Sequence, residues 1–128
     1  MKWNRLQLSD EFTYRLRHAK GRTGLTPNLL CRLGFCLSLE EARVPDPERY
    51  DEKGLDFNRS TLLGQWEHIY EALLIERIVR DGLDPDTHFM PQLRAHMNRG
   101  AGMACDRLRT LSDVLALLPE AETHVGPE

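Results

Sequence analysis

Polar and apolar residues alternate at the start of the chain, over residues 3–8. A period of two is typical of a β-strand, and it places the two leucines of this stretch on one face and Trp3, Arg5 and Gln7 on the other. The residues that follow, Ser9-Asp10-Glu11, combine a helix-capping serine with two carboxylates suited to a helix N-terminus. The pattern predicts a short strand followed directly by a helix.

Two amphipathic helices are expected next, at about 10–20 and 27–39. The first buries a narrow apolar stripe and ends at a glycine-containing turn, and the second begins where Thr26 caps and Pro27 needs no backbone donor. The second helix has a wide apolar face, with Phe35 pointing nearly the other way; that face comprises Leu29, Leu30, Leu33, Cys36 and Leu37. A strand followed by two helices is the order of a ribbon-helix-helix module. A lone strand lacks partners for its backbone groups, so this interpretation pairs it with its copy in a second chain.

The rest of the chain is predicted to be helical, after a polar connector. The expected segments are a connector at 40–58, helices at about 60–81, 91–99 and 103–118, a turn at Asp84-Pro85-Asp86, a glycine break at 100–102 and a flexible tail at 119–128. We therefore expect one all-α domain at 1–118, in which 1–39 is the ribbon-helix-helix-like part and 59–118 a helical extension. The long helix at 60–81 is apolar almost all round in its C-terminal half, which favours burial in the core and between subunits.

Charge is distributed unevenly along the chain. Residues 1–39 contain seven Lys or Arg and two acidic residues, a net charge of +5, whereas residues 40–128 contain ten basic and eighteen acidic residues, a net charge of −8. A basic end suggests a polyanionic partner. The composition is that of a globular chain, and no apolar run reaches the ~18–20 residues that span a bilayer. We expect a soluble cytoplasmic protein.

The turn at residues 20–26 is the strongest candidate for phosphate contact. Lys20, Arg22 and the hydroxyls of Thr23 and Thr26 surround two glycines and the start of a helix, where free N–H groups favour anions. A helix-ending glycine in a solvated turn would explain Gly21 but not the basic residues.

Two further segments could meet DNA. Arg5 and Gln7, on the outer face of the strand, are suited to base edges in the major groove, although an ordinary edge strand would show the same pattern. The segment 94–102 combines Arg99 with a glycine break before a predicted helix, while a plain interhelical turn explains it equally well.

No catalytic or metal-binding constellation emerges from the sequence. The five histidines are scattered, and the three cysteines include no C-x-x-C pair, so a reduced packing role is expected for each cysteine. We expect a non-catalytic binding protein with no metal and no cofactor.

Several stretches resemble the DndE family of DNA sulfur-modification proteins. The matching stretches are 8–12, 16–17, 20–28, 30–32, 93–96 and 98–100. The resemblance implies a subunit of the bacterial machinery that replaces a non-bridging phosphate oxygen of DNA with sulfur. It further implies a helical homotetramer that prefers nicked duplex DNA, while a cysteine desulfurase, an iron–sulfur protein and an ATPase perform the sulfur chemistry. The residues that match the family's basic loop are Lys20 and Arg22, with Arg17 and Arg99 as additions.

The sequence thus predicts a homo-oligomer that binds double-stranded DNA and the other subunits of a phosphorothioation complex. Three alternatives remain open: a ribbon-helix-helix repressor or antitoxin, an enzyme or cysteine-based sulfur carrier, and a protein-only scaffold.

Overall fold

A computed structural model describes residues 2–117 of the chain. The predicted strand is present as β1 (Arg5–Gln7), and it pairs antiparallel with β2 (Asp56–Asn58) of the same chain. Leu6 lies opposite Phe57, and both side chains are buried. The prediction that β1 finds a partner only in a second chain is therefore wrong, because the supposed polar connector supplies β2. Trp3 is also buried rather than outward-facing, and its indole N–H donates to a Glu71 carboxylate oxygen at 2.7 Å.

Helices α1 (Asp10–Thr23) and α2 (Pro27–Glu40) follow the predicted order. The Ser9 side chain accepts a hydrogen bond from the backbone N–H of Phe12, as expected of a capping serine. Gly24, at φ 80°, ends α1 and donates its N–H to the Lys20 carbonyl. Helix α1 is thus three residues longer than predicted, and Gly21 lies inside it.

The buried face of α2 overlaps the predicted leucine-rich face only at Leu30. The buried residues of α2 are Leu30, Cys31, Gly34, Phe35 and Ser38. In contrast, Leu29 and Leu33 are 38% and 37% exposed. The reason is the packing of α2 on α5 (Pro85–Arg107), where Gly34 meets Gly100 so closely that the small residues must face inward.

The single helix predicted at 60–81 is divided into α3 (Arg59–Leu63), a 3-10 turn at Gly64–Trp66 and α4 (Glu67–Arg80). The division falls at Gly64, which has φ 62°. Arg32 of α2 donates from Nε to the Leu62 carbonyl at 2.7 Å and from Nη2 to the Thr61 carbonyl at 3.0 Å. These bonds satisfy carbonyls at the end of α3 that a continuous helix would have used itself.

Helix α5 is continuous where the sequence predicted a turn, a helix, a glycine break and another helix. It begins at Pro85, one residue after its cap Asp84, and it passes through Gly100 and Gly102 without interruption. Both glycines are contact points: a Cβ on Gly100 would lie 2.2 Å from the Gly34 carbonyl oxygen, and one on Gly102 would lie 2.7 Å from the Phe12 ring.

The described residues end with α6 (Leu111–Leu115), a five-residue helix with a Thr110–Asp113 capping box. The last predicted helix, 103–118, is therefore divided between α5 and α6, and the predicted tail at 119–128 lies outside the described residues. Within residues 2–117, no helix is both long enough and apolar enough to cross a membrane.

Candidate nucleic-acid interface

Three basic side chains project from the C-terminal half of α1. Arg17, Lys20 and Arg22 are exposed, and none of their side chains has a hydrogen bond or ion pair within residues 2–117. The first turn of α1 carries Asp10 and Glu11, as a helix N-terminus favours. The basic surface of α1 is therefore confined to its last two turns.

These three side chains do not form one cluster. At about 100° per residue, Arg17 and Lys20 are neighbours, whereas Arg22 lies roughly 160° around the helix from Lys20. Gly21 is exposed between the two flanks, and a Cβ on it would have nothing within 4 Å. The outer face of α1 thus carries positive charge on both sides and has no side chain at Gly21 between them.

The two threonines of the predicted phosphate site differ. Thr23 is buried: its hydroxyl donates to the Ala19 carbonyl at 2.7 Å and accepts from the Leu25 N–H at 3.2 Å. That hydroxyl is occupied inside the fold and is not presented to a phosphate. Thr26 is exposed and caps α2 without a side-chain hydrogen bond, so its hydroxyl is available.

The two residues predicted to read base edges are both bonded within the chain. Arg5 Nε lies 2.7 Å from a carboxylate oxygen of Asp56. Gln7 Nε2 donates to the Gly54 carbonyl at 3.0 Å. Because β1 pairs with β2, Asp56 and Gly54 lie beside the side chains of Arg5 and Gln7.

Arg99 lies apart from the α1 residues. Its guanidinium donates to the Ser38 hydroxyl and carbonyl, both at 2.8 Å, and to the Arg43 carbonyl at 2.6 Å. Burial, reinforced by the nearby Arg77, lowers the pKa of Arg99. The predicted glycine break beside Arg99 is absent because α5 is continuous there, so no helix N-terminus lies at that point. The guanidinium of Arg99 connects α5 to the end of α2.

A cleft with a volume of about 610 Å³ lies beside Arg22, between α1 and the α5–α6 junction. Arg15 and Arg109 line it together with Tyr14 and His18. None of these four residues was among the predicted site residues. Tyr14, Arg15 and His18 lie close together on α1, and only the packing of the α5–α6 junction against α1 brings Arg109 beside them and forms the cleft.

Comparison with known proteins identifies the family. The family described as "DNA sulphur modification protein DndE" matches residues 5–111. A crystal structure of DndE from Escherichia coli B7A, described as involved in DNA phosphorothioation modification, is 30% identical with a TM-score of 0.67 and covers 80% of this chain and 97% of its own. The crystal structure of a DndE mutant with two glycine-to-lysine substitutions is 27% identical with a TM-score of 0.64, covering 81% of this chain and 99% of its own.

No curated protein sequence matches the chain. The family match nevertheless spans both strands and helices α1–α5, and the similarity to the E. coli B7A structure extends over nearly all of that protein. The mainly helical fold predicted from the sequence is confirmed. The chain belongs to the DndE family of DNA sulfur-modification proteins.

Proposed function

We propose that this chain is a non-catalytic, DNA-binding subunit of a phosphorothioation complex. It holds the backbone of duplex DNA against the outer face of α1. The observation that carries this proposal is a set of exposed side chains on the two flanks of that face that have no partner within residues 2–117: Arg17, Lys20 and Arg22.

The dimensions of α1 suit a row of phosphates. Residues 17–22 rise along the helix by about 7.5 Å. With both strands counted, a duplex presents one backbone charge per ~1.7 Å of its axis, so this length corresponds to about four charges, two on each strand. Gly21 lets the backbone approach closely, and the Thr26 hydroxyl adds a donor at the turn.

Two of the three cations also lie in the last turn of α1, where Lys20 and Arg22 offset the negative end of the helix dipole. That role does not extend to Arg17, which lies more than one turn from the end of the helix. A purely structural role would therefore leave one of the three side chains unexplained.

The cysteines favour an accessory role over sulfur transfer. Burial raises the pKa of Cys31, Cys36 and Cys105 above that of a free thiol. A sulfur carrier needs a reactive thiolate, which a raised pKa disfavours. Sulfur activation is accordingly assigned to partner proteins, and we propose no cofactor for this chain.

A sequence-specific repressor is not proposed. That alternative depended on Arg5 and Gln7, and both side chains have partners within the chain. Binding through phosphates instead predicts indifference to sequence. Nicked duplexes are proposed as preferred ligands because a nick lowers the cost of bending DNA toward both flanks of α1.

The outward face of α2 favours a homo-oligomer. Leu29 and Leu33 are partly exposed there, and the neighbouring α4 exposes Ile69 and Leu73, at 53% and 40%. Phe35 and Tyr70 connect the two helices, with ring centroids 5.9 Å apart. Apolar side chains on adjacent helices suit contact with a second copy. We propose a tetramer, in which Leu33→Glu would lower the mass measured by light scattering.

The test is binding of the full chain to matched intact and nicked duplexes across a salt series. We expect steep salt dependence, and a slope smaller by about one unit for each of Arg17→Ala, Lys20→Ala and Arg22→Ala. Arg80→Ala, which removes an exposed cation from α4, is the matched control and should leave the slope unchanged. No binding at low salt would refute the proposal and favour a protein-only scaffold. Equal affinity for the two duplexes would refute the nick preference alone.

A further inference from the structure

The cleft beside Arg22 has the size and charge of a nucleotide site. Its volume of about 610 Å³ falls within the roughly 300–1,000 Å³ of small-ligand pockets. Arg15, Arg22 and Arg109 line it, against one carboxylate, that of Asp106. Asp106 is already paired with Arg15, so the positive charge left for a ligand comes from Arg22 and Arg109.

Arg109 is held with part of its guanidinium available. Its backbone N–H donates to Asp113 at 2.9 Å, and its Nε donates to the Asp106 carbonyl at 3.2 Å. Within residues 2–117 its terminal nitrogens have no partner. The bond from Nε fixes the orientation of the Arg109 side chain, and its terminal nitrogens can still donate to an anion.

An aromatic pair forms one wall of the cleft. The rings of Tyr14 and His18 lie one helical turn apart, with centroids 4.5 Å from each other. Tyr14 is 67% exposed, so its ring is open to a ligand in the cleft. An open ring next to guanidinium groups is the arrangement with which proteins stack an unpaired base and hold its phosphate.

We propose that this cleft binds one DNA nucleotide that has left the base stack, with its base on Tyr14 and its phosphate between Arg22 and Arg109. The proposal rests on the proposed function, because duplex contact along α1 brings the displaced nucleotide to the cleft. A free mononucleotide presents the same chemistry, so it must be distinguished by experiment.

The test compares two duplexes of the same sequence, one intact and one with a single unpaired nucleotide. The wild-type chain should bind the second at least about fivefold more tightly. Tyr14→Leu and Arg109→Ser should abolish this preference while binding the intact duplex as the wild type does, and Tyr14→Phe should retain it. With 5-iodouracil at the unpaired position, photo-crosslinks should map to Tyr14 or His18.

The outcomes separate the two proposals. Equal affinity for both duplexes, with binding to each, would overturn the nucleotide site and leave the duplex interface intact. No binding to either duplex would overturn both. Competition by free deoxyadenosine monophosphate at concentrations matching the DNA would show that the cleft takes mononucleotides and would overturn its assignment to DNA.

Discussion

The contact between Gly34 and Gly100 predicts that replacing glycine by alanine lowers the stability of the fold at Gly34, whereas the same substitution raises it at the exposed Gly21. A Cβ on Gly34 would lie 2.1 Å from the Gly100 carbonyl oxygen and 2.3 Å from its carbon. Ordinary contact begins at 3.4 Å, so Gly34→Ala requires α2 and α5 to separate locally by about 1 Å. Both obstructing atoms belong to the backbone, and no side-chain rotation relieves the clash.

The expected cost follows from the extent of this contact. Overpacking a core costs ~1–3 kcal/mol, and a clash between two backbones belongs at the upper end of that range. The gain in helix propensity from glycine to alanine offsets ~1 kcal/mol of it. We expect the free energy of unfolding to fall by about 2 kcal/mol, and Tm to fall by roughly 8 °C.

Gly21→Ala is the matched control. Gly21 also lies inside a helix, but its Cβ would meet nothing within 4 Å. This substitution should raise the free energy of unfolding by ~0.5–1 kcal/mol. Urea denaturation at one fixed protomer concentration measures both variants. An unchanged or increased stability for Gly34→Ala would refute the close packing of α2 on α5.

Two further predictions concern buried charge. Arg77 is 3% exposed, and its Nε donates to Asp81 at 2.9 Å. Because Arg77→Met leaves the largely buried Asp81 carboxylate without its partner, we expect the free energy of unfolding measured by urea denaturation to fall by about 3 kcal/mol or more. Arg80→Met, at an exposed arginine, should leave it almost unchanged. Burial, reinforced by two nearby guanidinium groups, lowers the pKa of His96 to about 3, whereas an unfolded histidine titrates near ~6.5. Between these two pKa values only the unfolded chain binds the proton. The stability that depends on a neutral His96 is therefore fully present above pH ~6.5 and is lost as the pH falls toward 3. Between pH 7 and pH 5 the free energy of unfolding should fall by about 2 kcal/mol for this reason. This pH dependence should disappear in His96→Gln and persist in His68→Gln, which changes an exposed histidine.

The parts of the fold that the sequence predicts correctly are those fixed by local chemistry. Ser9 caps α1 and Pro27 begins α2, because capping and φ preferences act within a few residues. Leu6 and Leu8 are buried as the alternation predicted. These features need no information from distant segments.

The errors arise where tertiary contacts override local preference. Gly100 and Gly102 predict a break because glycine costs ~1 kcal/mol in a helix, yet α5 continues through them, since a glycine at each position allows close contact with α2 or α1. Strand β2 has only three residues within a polar segment, and its pairing with β1 is a contact between residues about 50 positions apart. The candidate site shows the same division between local and tertiary information. The exposure of Lys20 can be predicted from the local sequence pattern, whereas the formation of the cleft cannot.

The structure also revises what the charge of residues 1–39 means. Three of the seven basic residues are engaged within the fold by carboxylates or by carbonyls of α3, namely Arg5, Arg15 and Arg32. Most of the remaining positive charge lies on the second half of α1. The net charge of +5 therefore overstates the number of cations that one protomer offers to a phosphate backbone.

This smaller number gives the salt dependence a definite value. The logarithm of the binding constant falls with the logarithm of salt concentration by about 0.9 for each phosphate neutralised on duplex DNA. Three contacts from Arg17, Lys20 and Arg22 give a slope of about −2.7, and two protomers on one duplex give about −5.4. A slope near the second value, returning to the first when Leu33→Glu separates the copies, would show that the apolar face of α2 assembles the DNA-binding surface. A slope near −1 in both states would mean that the flanks of α1 do not act together on the backbone.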